Sequence, residues 1–188
     1  MRISNEMFAW LTSRPGRAKA EELYGAVVTL ARTPGYYSDF CVPDTTRGRF
    51  EMIALVLYLV LERVKRTKGG MDLSQATIET FITDMDDCMR EMGVGDLTVP
   101  KKVKRAAAAF YERAKDYREG LAGEGSSALA TALAHHIWDG KPTDQMSAQA
   151  LAGAVRRQAD ALESADDTAL AAPSELVAVL QNALCAQG

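Results

Sequence analysis

Every side chain from position 52 to position 61 is apolar, MIALVLYLVL, and charged residues close both ends: Arg49 and Glu51 before it, Glu62 and Arg63 after. Wound as a helix, such a run is apolar on all sides, and a helix of that kind belongs in a core or in a membrane. Crossing a bilayer takes about 20 apolar residues. The run is too short for that, so it predicts the buried central helix of a soluble helical domain. A buried strand is the rival reading. The length of the run, and its continuation through Glu62–Arg63 into Val64, favour the helix.

A chain of 188 residues is one domain, or one domain with an appendage. A hydrophobic content of 47% excludes global disorder. A formal net charge of −3 gives no bulk attraction to nucleic acid or anionic membrane. The charge is uneven, however. Residues 1–121 carry 19 basic and 17 acidic side chains, and residues 122–188 carry 3 and 8. The expected organisation is a helical core over 1–121 and an Ala-rich, acidic set of helices over 122–188, packed on that core or appended to it. Cys41, Cys88 and Cys185 stand far apart with no CxxC or Cys/His cluster, which predicts neither a disulfide framework nor zinc. A reduced, intracellular, cytoplasmic chain is expected, because the start MRISNEMFAW lacks the pattern of a signal peptide.

Helical periodicity runs through the chain. A short helix is expected over 4–11, ended by Pro15–Gly16. Ala20, Leu23, Tyr24, Val27, Leu30 and Ala31 form one stripe over 17–32, which Thr33–Pro34–Gly35 ends. Residues 36–46 read as a loop rich in apolar side chains, Tyr36, Tyr37, Phe40 and Val42, with Asp44–Thr45 placed to cap the central helix. After the Gly69–Gly70 stop, Asp72 and Gln75 suggest a capping box. The helix that follows has Ile78, Phe81, Ile82, Met85, Cys88, Met89 and Met92 as its buried face, with Asp84, Asp87 and Glu91 wet. The next starts at Thr98, with Pro100 in its first turn, and Val99, Val103, Ala107, Phe110, Ala114, Tyr117 and Leu121 recur along it at spacings of three and four. Residues 120–127, GLAGEGSS, read as a flexible linker. Amphipathic segments then cover 128–138, 147–164 and 173–185; the middle one places Leu151, Ala154, Val155, Gln158 and Leu162 on one face. No strand pattern occurs, and the fold class is all-α.

Chemistry-bearing patterns are sparse. Asp84, Asp86, Asp87 and Glu91 lack the Glu-x-x-His partners of a helical di-metal site, so a solvated face is expected. His135 and His136 point about 100° apart on a helix and cannot share a ligand. Gly93-Val94-Gly95 follows no strand and is a turn, not a phosphate loop. No nucleophile–base pattern exists, and neither a catalytic site, a metal nor a cofactor is expected. Lys101, Lys102, Lys104 and Arg105 crowd a helix N-terminus, where positive charge opposes the dipole by a few tenths of a kcal/mol each (~0.3). Local stability does not account for them.

Two longer elements carry a family resemblance. One is VPDT (Val42 to Thr45) followed by GRFEMI (Gly48 to Ile53); the other is REMGVGDL-x-VPKK (Arg90 to Lys102). With these, residues 21–117 resemble the ubiquinol–cytochrome c chaperone family, and the likeness continues more weakly over 129–162. The histidine expected near Leu55–Val56 in many relatives is replaced here by apolar residues.

The resemblance implies a non-enzymatic assembly factor of the ubiquinol–cytochrome c reductase complex, of a bacterial type. Its implied client is newly made cytochrome b. A small partner subunit and a ribosome contact are implied by the mitochondrial relatives and do not transfer by themselves; peripheral contact with the inner membrane is an expectation for this chain. A holder of apolar membrane helices needs an apolar groove with a charged rim. The expected client-binding residues are Tyr36, Tyr37, Phe40, Val42, Asp44, Arg49 and Met89, with Lys101, Lys102 and Arg105 as the rim. The alternative is a helical adaptor or nucleic-acid-binding module using the 101–105 basic cluster, though no specific nucleic acid is implied. Binding that depends on salt rather than on apolar surface separates the two.

Overall fold

The computed structural model describes residues 14–91, 99–123, 125–140 and 145–185; the side chains of Met89 and Lys102 lie outside that description. All regular structure among the described residues is helical: α1 (Arg14–Ala31), α2 (Pro34–Ser38), α3 (Thr46–Val64), α4 (Gly70–Glu91), α5 (Val99–Ala122), α6 (Ser127–Trp138), α7 (Gln145–Ser164), α8 (Asp167–Ala171) and α9 (Pro173–Cys185). The all-α expectation holds.

α3 is the axis. From Met52 to Leu61 each side chain is buried except Ile53, which is partly so. α1, α4, α5, α6 and α7 all pack against it, which is what an all-round apolar helix requires. Phe81 of α4 links Tyr24 of α1, Phe50 of α3 and Phe110 of α5, with ring centroids 5.7–6.2 Å apart. Aromatic pairs at that distance add to simple area burial.

The helices after α5 belong to the same packing. α7 buries Leu151, Ala154, Val155, Gln158 and Leu162 as its periodicity predicts. Tyr36 and Gln158 exchange hydrogen bonds of 3.1 and 2.8 Å, and the Gln158 amide also donates to Leu180 O on α9 at 3.0 Å. Arg63, at the C-terminal end of α3, donates to the carbonyls of Leu162 and Ala165 at 3.0 and 2.8 Å, and pairs with Asp167 at 2.9 Å. A cation at the C-terminus of α7 meets the negative end of its dipole.

Several local expectations need correction. Pro15–Gly16 sits inside α1 rather than ending a helix, because a first-turn proline has no N–H to lose. The expected helix over 4–11 lies outside the described residues. Residues 36–46 are not all loop, since α2 winds one turn. α4 starts at Gly70, two residues before Asp72, and Gln75 donates to Glu79 rather than closing a capping box. Cys88, expected in the buried face of α4, is exposed, and Asp84, expected wet, accepts from Tyr24 Oη at 2.7 Å. Most of the GLAGEGSS stretch is a tight corner instead of a flexible linker. Gly120 is buried against α6, where a Cβ would stand 2.8 Å from the Leu129 Cα. Arg156 of α7 donates to the carbonyls of Gly120, Leu121 and Gly123 at 2.7–3.2 Å, satisfying the end of α5. Composition suggested flexibility; helix–helix contact decided otherwise.

Candidate functional site

The first diagnostic element, VPDT with GRFEMI, builds the junction from α2 into α3. Thr45 is the N-cap, its Oγ1 accepting from the Gly48 N–H at 3.1 Å. A Cβ at position 48 would fall on the Pro43 carbonyl oxygen, so only glycine lets Pro43 lie over the first turn of α3. Asp44, expected to help cap α3, instead takes Arg49 Nε at 2.6 Å. That hydrogen bond holds the exposed Asp44 carboxyl below its ordinary range. Upstream, the backbone of Val42 donates to Tyr36 O at 3.1 Å and closes the segment. Cys41 is held at a φ of 55°, and its carbonyl accepts from Trp138 Nε1 at 3.1 Å.

Beside this junction lies a buried charge that its neighbours satisfy. Glu51, only 1% exposed, is gripped by Arg113 of α5 through Nε–Oε2 at 2.5 Å and Nη2–Oε1 at 2.6 Å. Arg113 also donates to Ala109 O at 3.0 Å and stacks over Phe50 with 5.6 Å to the ring centroid. The bond to Glu51, against the effect of burial, holds the Arg113 guanidinium above its usual value. Arg47, one turn before Glu51, bridges to Asp139 at the C-cap of α6. His136 of α6 pairs through Nε2 with Asp116 Oδ2 at 2.8 Å and lies edge-on to Tyr117. Together these tie α3, α5 and α6 to the 41–45 segment. The sequence reads Arg49, Glu51, Arg90, Glu91 and Asp96 as partly structural charges at apolar helix ends; Arg49 and Glu51 are paired, and Asp96 lies outside the described residues. Arg90 pairs with Asp86 at 2.6 Å; the sequence also predicts that Arg49 or Arg90 ties α3 to the REMGVGD turn, whose residues 92–96 lie outside the described residues. Arg47, Arg113, Asp116 and Trp138 were missed in the sequence, since their partners are 20 to 97 residues away.

The predicted client-binding residues separate into groups. Tyr36 and Val42 are buried at 1% and 3% exposure, a correction to their reading as loop side chains available at the surface. An aromatic ring gains nothing in water, and one turn of α2 suffices to swing it into the core. Tyr37 and Phe40 are half-buried against the core edge. Tyr37 Oη donates to Ala31 O at 2.8 Å, and burial, then the nearby Asp44 charge, pushes its hydroxyl up. Asp44 and Arg49 are exposed beside it. Lys101, Lys104 and Arg105 are exposed on the first turns of α5 and form no ion pair with a described residue.

Among the described residues, no group of three His, Cys, Asp or Glu could hold a metal ion. No described helix is long and apolar enough to cross a membrane.

The model of a family described as Ubiquinol-cytochrome C chaperone matches residues 38–176. The chain is also similar to a solved structure, the Cbp3 homolog from Brucella abortus, with 35% identity, a TM-score of 0.73, and coverage of 82% of this chain and 85% of that one. No curated protein matches.

Proposed function

We propose, from the premise that the chain belongs to the ubiquinol–cytochrome c chaperone family, that it captures newly made cytochrome b during assembly of the ubiquinol–cytochrome c reductase complex. An assembly-chaperone role is what the family match carries, across residues 38–176. Membership of a chaperone family implies a non-enzymatic role. Cytochrome b as the client is the finer step.

The surface that best suits such a client is built from Tyr37, Phe40 and the Asp44–Arg49 pair, with Lys101, Lys102 and Arg105 of α5 as steering charges. Half-buried aromatics on a braced backbone make anchors that lose little freedom on binding. Exposed cations such as Lys101 and Arg105, which pair with no described residue, speed encounter without adding to the folded state. Met89 is retained as a candidate contact because methionine adapts to varied apolar partners. Peripheral contact with the inner membrane belongs to the same reading.

The test removes the gene and measures cytochrome b and assembled reductase. Loss of both, restored by the wild-type chain, is expected. Co-purification of cytochrome b then compares Phe40→Ser and the Lys101→Glu/Lys102→Glu pair with wild type, alongside melting curves. Capture should fall about tenfold, equivalent to roughly 1.4 kcal/mol, in folded variants of both kinds. Full capture by both would sink this surface.

A further inference from the structure

A furrow of about 630 Å³ runs between α1 and α4. Its two walls repeat at helical spacing: positions 17, 20, 21, 24, 25 and 28 on α1, and 76, 79, 80, 83, 84 and 87 on α4. Between positions 17 and 28 it extends about 17 Å at 1.5 Å per residue, three turns of a helix. The floor is low because Ala20, Gly25, Ala76 and Thr80 are small. A Cβ built on Gly25 meets nothing within 4 Å, so the space above it is open. Among the described residues that line it, the rims carry Glu21, Glu79, Asp84 and Asp87 against one cation, Arg17, which Glu21 already takes at 2.9 Å. The hydroxyls of Thr80 and Thr83 are bonded back to Ala76 O and Glu79 O, leaving an apolar floor. Asp87 forms no hydrogen bond or ion pair with a described residue.

We infer that this furrow docks an amphipathic helix bearing lysines and arginines along both flanks, and that the helix is the basic segment bordering a membrane span of the client. The inference rests on the proposed function for its choice of occupant. Three physical facts carry it. A valley between two packed helices accepts a third by ridges-into-grooves packing, and an open floor admits its apolar ridge. Four carboxylates on the rims select cations and repel an acidic helix. Membrane proteins concentrate Lys and Arg in the loops left on the side of synthesis, so a client whose spans are apolar presents basic flanks to a chaperone on that side. A second copy of this chain is the rival occupant, through the basic first turns of its α5.

The experiment uses the full chain and two synthetic four-turn helical peptides that share a leucine stripe. One is flanked by lysines, its twin by glutamates. Fluorescence anisotropy reads affinity at low and high salt. Wild type should bind the lysine peptide, bind the glutamate twin at least about tenfold more weakly, and lose affinity as salt rises. Gly25→Leu fills the open floor at a helix position that tolerates a side chain, and Asp87→Lys reverses one rim charge. Each should weaken the lysine peptide about tenfold or more while melting like wild type. Equal affinity for both peptides, or for wild type and both variants, overturns the inference. So does sedimentation showing that Asp87→Lys abolishes self-association of the chain, which assigns the furrow to a second copy. The two readings fail separately. Selective peptide binding with normal reductase in cells lacking the gene removes the client reading and keeps a basic-helix site. Lost reductase with peptide affinity indifferent to both variants removes the furrow and keeps the chaperone.

Discussion

At the scale of single residues, the Glu51–Arg113 pair shows how a buried charge can be tolerated in a core. Removing one partner leaves the other charge in a site without water, at a cost of about 3–5 kcal/mol, whereas replacing both with apolar residues of similar size is near neutral or stabilising. Urea unfolding should therefore find Arg113→Leu severely destabilised and Glu51→Met/Arg113→Leu largely restored. Equal losses in the two would show that the pair contributes net attraction. The buried tyrosines set an alkaline limit. Burial first, then Asp84 for Tyr24 and Glu51 for Tyr117, pushes their hydroxyls above 10.0; burial does the same for Tyr36 against its bond to Gln158, and takes Tyr58 to about 12. A raised folded value means stability is intact below pH 10 and falls as pH rises through the folded values. Tyrosinate absorbance and helicity should change together above pH 10. Ionisation of these rings with helicity unchanged would contradict their burial.

At the scale of elements, the corners matter more than the helix interiors. The α5–α6 corner depends on Gly120, because any side chain there must push α6 away at Leu129. Gly120→Ala is expected to lose about 1–3 kcal/mol, the usual cost of overpacking, even though alanine is the better helix former. At Gly25, where the space is open, alanine should instead gain about 0.5–1 kcal/mol. Opposite shifts in the melting temperature of the two variants check this; shifts of the same sign would mean that propensity, not packing, dominates both. Thr45→Ala removes the cap of α3 and should cost about 1 kcal/mol. The α3 C-terminal end adds an acid limit. Burial raises Glu62, but hydrogen bonds from Arg118 and Lys65, at 2.9 Å each, outweigh it and leave the carboxyl low. A lowered folded value gives stability that is present above pH 4.5 and lost as pH falls below it. Glu62→Gln should flatten that part of the pH–stability curve.

At the scale of the molecule, a single apolar helix draws the others round it, and polar ties fasten it to α5, to the end of α6, and to α7 with the start of α8. Tyr36–Gln158 and the Arg63 contacts connect the N-terminal helices to α7 and α8. A chain cut after position 121 would expose the apolar face that α7 covers, along with the ring of Tyr36. We therefore expect it to lack a cooperative melting transition, measured by circular dichroism. A sharp transition in the truncated chain would show a core over 1–121 that folds alone.

The primary structure by itself determined the class of fold and its centre, because ten consecutive apolar residues leave a helix no solvent face. It determined the helical stripes too, most fully in α7, where each residue predicted to face inward does so. The first motif element was visible because VPDT and GRFEMI are local: their capping and close-approach geometry spans only a few positions. What tertiary structure alone decided were the matters of distance. Whether Tyr36 faces a client or the core depends on Gln158, 122 residues on. Whether Glu51 is a surface charge or a buried one depends on Arg113, 62 residues on. GLAGEGSS is compositionally a linker, and only the contact of Gly120 with α6 and the reach of Arg156 make it a corner. Local periodicity records which side of a helix is apolar; it does not record which partner arrives there, and the furrow between α1 and α4 exists only once two such helices are packed side by side.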